Sequence, residues 1–221
     1  MGGDQDERAH AARGGRRPAG GPAKGDRRRV AILEAVEQLL AERPISALAV
    51  DQIAARAGIS RSGFYFYFES KYAALSGALG DLWEEMMEAA DAFFVGADTP
   101  PRTWAGEALG NVADLWARHA TLLEAMVEAG ASDPGARAVW DAWIDRFVEA
   151  IAERIALERD AGRAPAGPPA APDLARALML LNERALYDAT RRDASPGQLE
   201  RTVEALTGIW LAAVWGERIV A

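Results

Sequence analysis

Apolar residues recur three and four apart along most of the chain, and no stretch alternates apolar with polar residues between hairpin turns. The first stripe, Val30, Leu33, Val36, Leu39 and Leu40, predicts a helix that opens near Asp26 as N-cap and stops at Arg43-Pro44. A short helix follows from about Val50 to Ala57, with Ile53 and Ala54 inward and Gly58 as its C-terminal signal. Ser60 is a suitable cap for a third short helix. Beyond Lys71 the pattern lengthens: helices are predicted over 71–95, ended by Gly96 and Thr99-Pro100-Pro101, then over 101–118 and 120–130. Asp133-Pro134 pairs a cap with proline at the first helical position and opens a long helix. Its broad apolar face carries Val139, Trp140, Trp143, Ile144, Phe147, Ile151 and Ile155. The run AGRAPAGPPAAP, 161–172, is too rich in proline and glycine to be helical and predicts an exposed connection. Two more helices are expected over 173–191 and, behind Ser195-Pro196, over 196–218. The fold class is all-α, with about nine helices and no internal repeat.

The third helix poses a packing problem. Phe64-Tyr65-Phe66-Tyr67-Phe68 are five consecutive aromatic residues, and a helix of 3.6 residues per turn points them all the way round. On a helical wheel Phe68 falls about 40° from Phe64, while Phe66 and Ser62 fall on the opposite side. Phe64 and Phe68 therefore belong to the core side. Arg61 and Tyr65 flank one edge of the outer face, and Gly63 and Tyr67 flank the other. Such a face suits a DNA major groove: a guanidinium for guanine, a small surface for close approach, phenols for phosphate oxygens and a ring for a thymine methyl. The two short helices joined by Ala57-Gly58-Ile59 have the proportions of a helix-turn-helix.

Charge supports this picture only once it is divided. The net charge of the 221 residues is -8. Residues 1–72 nevertheless carry 12 Lys+Arg against 9 Asp+Glu, leaving +3 there and -11 on the rest. Residues 1–25, rich in Gly, Ala, Arg and Pro, predict a disordered basic arm with Arg16-Arg17 and Lys24. Arg27-Arg28-Arg29 lie where that arm meets the first helix and could follow a DNA backbone or enter a minor groove. No cysteine is present, which excludes disulfides, thiol nucleophiles and Cys-based metal sites, and His10 and His119 alone make a multi-histidine site improbable. The chain has no membrane-length apolar run and no secretory signal, so a cytoplasmic protein is expected, with no membrane partner.

Residues 27–76, with VDQIAARAGISRSGFYFYFESKYAAL at their heart, resemble the DNA-binding domain of the TetR family of bacterial transcriptional regulators. The resemblance implies a helix-turn-helix domain over 26–72 and a helical ligand-binding and dimerisation domain over 73–221. It implies that Arg61, Ser62 and Gly63 meet bases, that Tyr65, Phe66 and Tyr67 meet bases and backbone, and that Lys71 holds a phosphate. Val50, at the start of the second helix, is placed with them, as are Arg27, Arg28 and Arg29. The chain departs from the family at Ala49, where a hydroxyl residue commonly caps the second helix.

All seven tryptophans lie beyond residue 82, and a helical core fitted with so many tends to be roomy. The segment LNERALY sets Asn182, Glu183 and Arg184 into an apolar stripe, and a buried amide needs a hydrogen-bond partner in protein or ligand. Similarity to family members in this half implies a largely apolar channel. Trp104, Trp140, Phe147 and Trp210 stand at its ring-bearing walls and Asn182 at its polar anchor, with Glu183 and Tyr187 nearby. Asn111, Leu115, Ile144 and Met179 occupy wall positions at which this chain differs from those members. The partners implied are a double-stranded palindromic operator, a small apolar ligand and a second copy through the last two helices; no cofactor is implied. The stripe Leu199, Val203, Leu206, Trp210 and Val214 meets pocket, core or partner. Two other readings remain: a constitutive DNA-binding protein with a sealed core, and an enzyme using the channel. Against the enzyme, no phosphate loop, G-x-S-x-G or H-E-x-x-H motif occurs, and Glu124, Glu128 and Glu183 have no paired histidine.

Overall fold

The computed structural model describes residues 24–80, 82, 86, 99–193 and 195–217. Among these, nine α-helices and no strand are present. They are α1 (Lys24–Leu40), α2 (Val50–Arg56), α3 (Arg61–Tyr67), α4 (Lys71–Ala78) and α5 (Pro101–Arg118). Then come α6 (Ala120–Gly130), α7 (Pro134–Asp160), α8 (Ala171–Asp193) and α9 (Pro196–Trp210). A short 3-10 turn, Ile45–Ala47, precedes α2, and a π-turn, Leu211–Trp215, extends α9.

Several expected boundaries move, each for a local reason. Helix α1 opens at Lys24, so Asp26 is not its cap but an acid in its first turn, where it complements the helix dipole. Arg27, Arg28 and Arg29 accordingly sit within the helix rather than ahead of it. Val30 is solvent-exposed because the buried stripe begins at Ile32 and continues through Ala35, Val36, Leu39 and Leu40. The fourth helix breaks at Leu79, a turn residue, before helical backbone resumes at Gly80. The expected stop at Gly96, Trp83, and the arm with Arg16-Arg17 lie outside the described residues. Helix α8 begins at Ala171, two residues early, since proline is tolerated in a first turn. The last helix ends at Trp215 rather than 218: its final turn widens, and Gly216, at φ 70°, stops it in the left-handed region that glycine adopts without strain.

The helix-turn-helix is held by the same logic. Gly58, at φ 67°, turns the chain from α2 into α3. Ser60 caps α3 by accepting the Gly63 N–H at 3.1 Å. Helix α2 lacks a side-chain cap at Ala49, but Gln52 Oε1 accepts the Ala49 N–H at 2.9 Å, the returning half of a capping box. Helix α4 packs on α1 and also on α6 and α7, and α1 touches α6. Buried residues from Ile32 to Val214 form one continuous hydrophobic cluster. The orientation of the short helices is therefore coupled by packing to the helices that follow.

Candidate functional site

The aromatic run divides as the wheel arithmetic requires. Phe64 is completely buried and Phe68 nearly so, their ring centroids 6.0 Å apart, while Phe66 is 82% exposed. Tyr65 is exposed and packs edge-on against Phe64 at 5.6 Å, and the half-buried Tyr67 packs edge-on against Phe66 at 5.0 Å. The buried pair thus acts as a footing that stiffens the rings above it. Arg61 and Ser62 at the start of α3 are exposed, Gly63 is half-buried, and Ser62 shares a hydroxyl hydrogen bond with Ser60 at 3.0 Å.

Around this helix the structure gathers basic groups, though not all in the expected role. Arg28 joins Ser60, Gly63, Phe66 and Tyr67 around a cleft of about 400 Å³ between α1 and α3. Arg29 lies over the Phe68 ring at 5.5 Å, and Arg27 is exposed beside them. Val50 is half-buried at the start of α2. Lys71 is not an open cation: its ammonium donates to the Ser46 carbonyl at 3.1 Å and the Leu48 carbonyl at 2.9 Å. Partial burial pushes its amine below the ordinary lysine value. Lys71 thus ties the start of α4 to the 3-10 turn and keeps one N–H for another acceptor. A neighbour that the sequence reading missed is Asp51, whose Oδ2 accepts Arg61 Nη1 at 2.8 Å.

In the helical half, Trp104, Trp210 and Asn182 come together in the interior. The Trp104 and Trp210 rings are 6.3 Å apart, and Trp210 Nε1 donates to Asn182 Oδ1 at 3.1 Å. A second aromatic group, Trp116, Trp140 and Trp143, stacks at 6.5 and 5.8 Å between α5 and α7. Leu115, Ile144 and Phe147 are buried and Met179 is half-buried. Glu183 is also half-buried, and burial raises its carboxyl above the ordinary range. One expected wall residue, Asn111, falls on the surface, and the Tyr187 hydroxyl already has a protein partner. Asn111 lies on the solvent face of α5, because the buried stripe there runs through Leu109, Ala113 and Trp116. Tyr187 is buried, but its hydroxyl accepts Arg191 Nη1 at 2.6 Å, and Arg191 reaches Glu128 of α6 at 3.5 Å.

A buried ionic cluster, not foreseen from sequence, stands beside Trp104. Glu158, 2% exposed, accepts Arg154 Nη2 at 2.9 Å and Arg163 through two N–H groups at 2.9 and 3.0 Å. The Trp215 indole N–H adds a bond at 3.2 Å, and Arg154 stacks on Trp104 at 4.8 Å. The Arg163 bonds foremost hold the Glu158 carboxyl below its ordinary value. The i, i+4 spacing of Arg154 and Glu158 was visible in the sequence; Arg163 and Trp215 were not tied to it by any pattern. Among the described residues no cluster of acids and histidines could hold a metal, and no helix is long and apolar enough to cross a membrane.

Comparison with known proteins places both halves of the chain in known families. Residues 32–75 match the family model "Bacterial regulatory proteins, tetR family", and residues 105–216 match "Transcriptional regulator EthR, C-terminal domain". The chain is 34% identical over 193 residues to the HTH-type transcriptional regulator EthR of Mycolicibacterium smegmatis, covering 87% of this chain and 88% of that one. It is 33% identical over 194 residues to EthR of Mycobacterium tuberculosis, with 87% and 89% coverage. Among solved structures, a TetR-family regulator of Syntrophomonas wolfei superposes with a TM-score of 0.71 at 19% identity, covering 90% of this chain and 100% of that one. NalD of Pseudomonas aeruginosa, the secondary repressor of the MexAB-OprM multidrug efflux pump, gives 0.68 at 19% identity, covering 88% and 100%. At those identities the two structures speak to fold alone. The matched families and curated relatives are regulators, not enzymes. With both of its halves matched, this chain belongs to the TetR family of transcriptional regulators and resembles its EthR members in particular.

Proposed function

We propose that the protein is a dimeric repressor whose grip on a palindromic operator is released by a small apolar ligand. The observation that carries the DNA-reading part is the 82% exposure of Phe66 on a helix whose opposite ring, Phe64, is fully buried. A large apolar ring held out in water beside Arg61, Ser62, Tyr65 and Tyr67 fits a groove in which it can meet a thymine methyl. Arg27, Arg28, Arg29 and the remaining Lys71 N–H are within the basic segment that would follow the backbone, with Val50 and Gly63 allowing close approach.

The dimer part rests on the outer side of α8 and α9. Of the apolar stripe on α9, Leu199, Leu206, Trp210 and Val214 are buried within the chain itself, leaving Ile209 41% exposed and Leu181 of α8 37% exposed. These two, with Ala185 and Ala205, floor a groove of about 490 Å³ rimmed by Asp188, Arg192 and Arg201. A second copy of the same two helices would cover it symmetrically, and a palindromic operator requires the two α3 helices of such a dimer about 34–36 Å apart, one DNA turn, or a multiple of it.

The ligand part rests on the tryptophan-rich interior and on the curated EthR relatives. In this reading Trp104, Leu115, Trp140, Ile144, Phe147, Met179 and Trp210 supply apolar wall, with Glu183 and Tyr187 of α8 as further polar groups. Trp210 takes one lone pair of Asn182 Oδ1, while the two N–H donors of the Asn182 amide suit a carbonyl-type acceptor on the ligand. The ligand acts by binding a splayed dimer more tightly than the operator-spaced one.

The test is a gel shift with the DNA upstream of the protein's own gene, followed by titration with apolar carbonyl compounds. Specific binding at low salt, lost with a matching change in tryptophan fluorescence, is the expected result; no preference for that DNA or for any selected duplex would end the DNA reading. In the same assay Phe66→Ala should weaken operators carrying T at one position by about 1 kcal/mol while sparing those carrying C there. Equal weakening of both would reduce Phe66 to a filler of the groove.

A further inference from the structure

We propose that Asp51 is a specificity-determining positioning residue, which holds the Arg61 guanidinium off the phosphate backbone and presents its free edge to a base. The inference rests on the DNA-reading surface described above and names how one part of it discriminates. Asp51 is the second residue of α2 and Arg61 the first of α3; the turn at Gly58 brings their side chains to 2.8 Å. The Tyr65 ring, 5.6 Å from the guanidinium carbon, closes the other side. The Arg61 side chain is thus restrained from two directions at the tip of the recognition helix.

Beyond its place in the first turn of α2, this carboxylate does little for stability. Both side chains are 61% exposed, and an ion pair so open to water adds little to stability. Toward DNA it is a liability as a bare charge, because it repels phosphates from a segment whose net charge is otherwise basic. What it supplies is direction. A guanidinium has five N–H donors in a rigid fork; Asp51 occupies Nη1 and leaves donors on the remaining edge to reach guanine O6 and N7. An unpaired arginine on a flexible stem would instead settle on whichever phosphate is nearest, adding affinity without sequence information.

The experiment measures binding of the full-length protein by fluorescence anisotropy over a salt series. The probes are duplexes that the wild type selects from a randomised pool, the same duplexes with single G·C pairs replaced, and a scrambled duplex. Asp51→Asn should bind scrambled DNA more tightly, steepen the salt dependence by about one phosphate contact, and lose about tenfold in discrimination at one G·C pair. Asp51→Glu should restore discrimination, and in an Arg61→Ala background Asp51→Asn should leave it unchanged. Wild-type discrimination and salt slope in Asp51→Asn, with only a lower melting temperature, would overturn the proposal and leave Asp51 as an acid at a helix N-terminus. Failure of the wild type to prefer any selected duplex over the scrambled one is a different result, and it removes the DNA reading itself.

Discussion

Glu158→Ala should lower the unfolding free energy by about 3–5 kcal/mol in urea denaturation, among the largest effects of any single substitution in the helical half. The magnitude follows from what is left behind. Glu158 neutralises two guanidiniums and accepts the Trp215 indole N–H; without it Arg154, itself buried against the Trp104 ring, loses the carboxylate that meets it at 2.9 Å. Replacing Arg154 and Glu158 together by Met and Leu should cost much less, because no orphaned charge remains between those two positions. Acid should mimic the single substitution. The folded protein holds this carboxyl below its ordinary 4.5, so its contribution is complete above that value and disappears as pH falls through the lower folded one. Glu158→Gln should be less stable at neutral pH and should lose this component of the acid transition. An acid limb identical to wild type would show that other carboxylates account for it.

Phe64→Ala should destabilise the chain by about 3–5 kcal/mol and abolish operator binding, whereas Phe66→Ala, the same deletion two residues on, should leave the melting temperature within a few degrees of wild type. Phe64 is fully buried and touches both Tyr65 and Phe68, so truncation empties a ring-sized space beneath the recognition helix. Phe66 has little protein around it to lose. Circular dichroism melts of the two variants, run beside the gel shift, separate footing from contact. Comparable melting temperatures would contradict the division of the aromatic run argued above.

That division was legible in the sequence because it needs only helical periodicity: rings two apart on a helix oppose each other. The helix count and the caps at Ser60 and Asp133 were legible for the same reason, being local. What escaped the sequence depends on contacts between distant segments. Lys71 stood out as a cation, but nothing local says that the carbonyls of Ser46 and Leu48 converge on it. The α9 stripe was visible, yet only packing shows that Trp210 turns inward to Asn182 while Ile209 stays outside. Asn111 and Tyr187 were placed by similarity to relatives, and their surroundings here follow from this chain's own neighbours, the solvent face of α5 and Arg191. The Glu158 cluster joins a helix end, a connection and the last turn, a combination that no periodicity announces.

The Lys71 tie has a practical consequence in reagent chemistry. The chain carries only two lysines, Lys24 and Lys71, against a large excess of arginine, so every side-chain amine lies in α1 or at the start of α4. An activated ester meets at Lys71 an amine engaged by two carbonyls, and acylation there severs the link to the 3-10 turn. Dyes or solid supports attached through lysine therefore fall in α1 or at the start of α4, in the helix-turn-helix half. Carboxylate-directed coupling falls mainly on the remainder of the chain, which holds 24 of the 33 acidic residues.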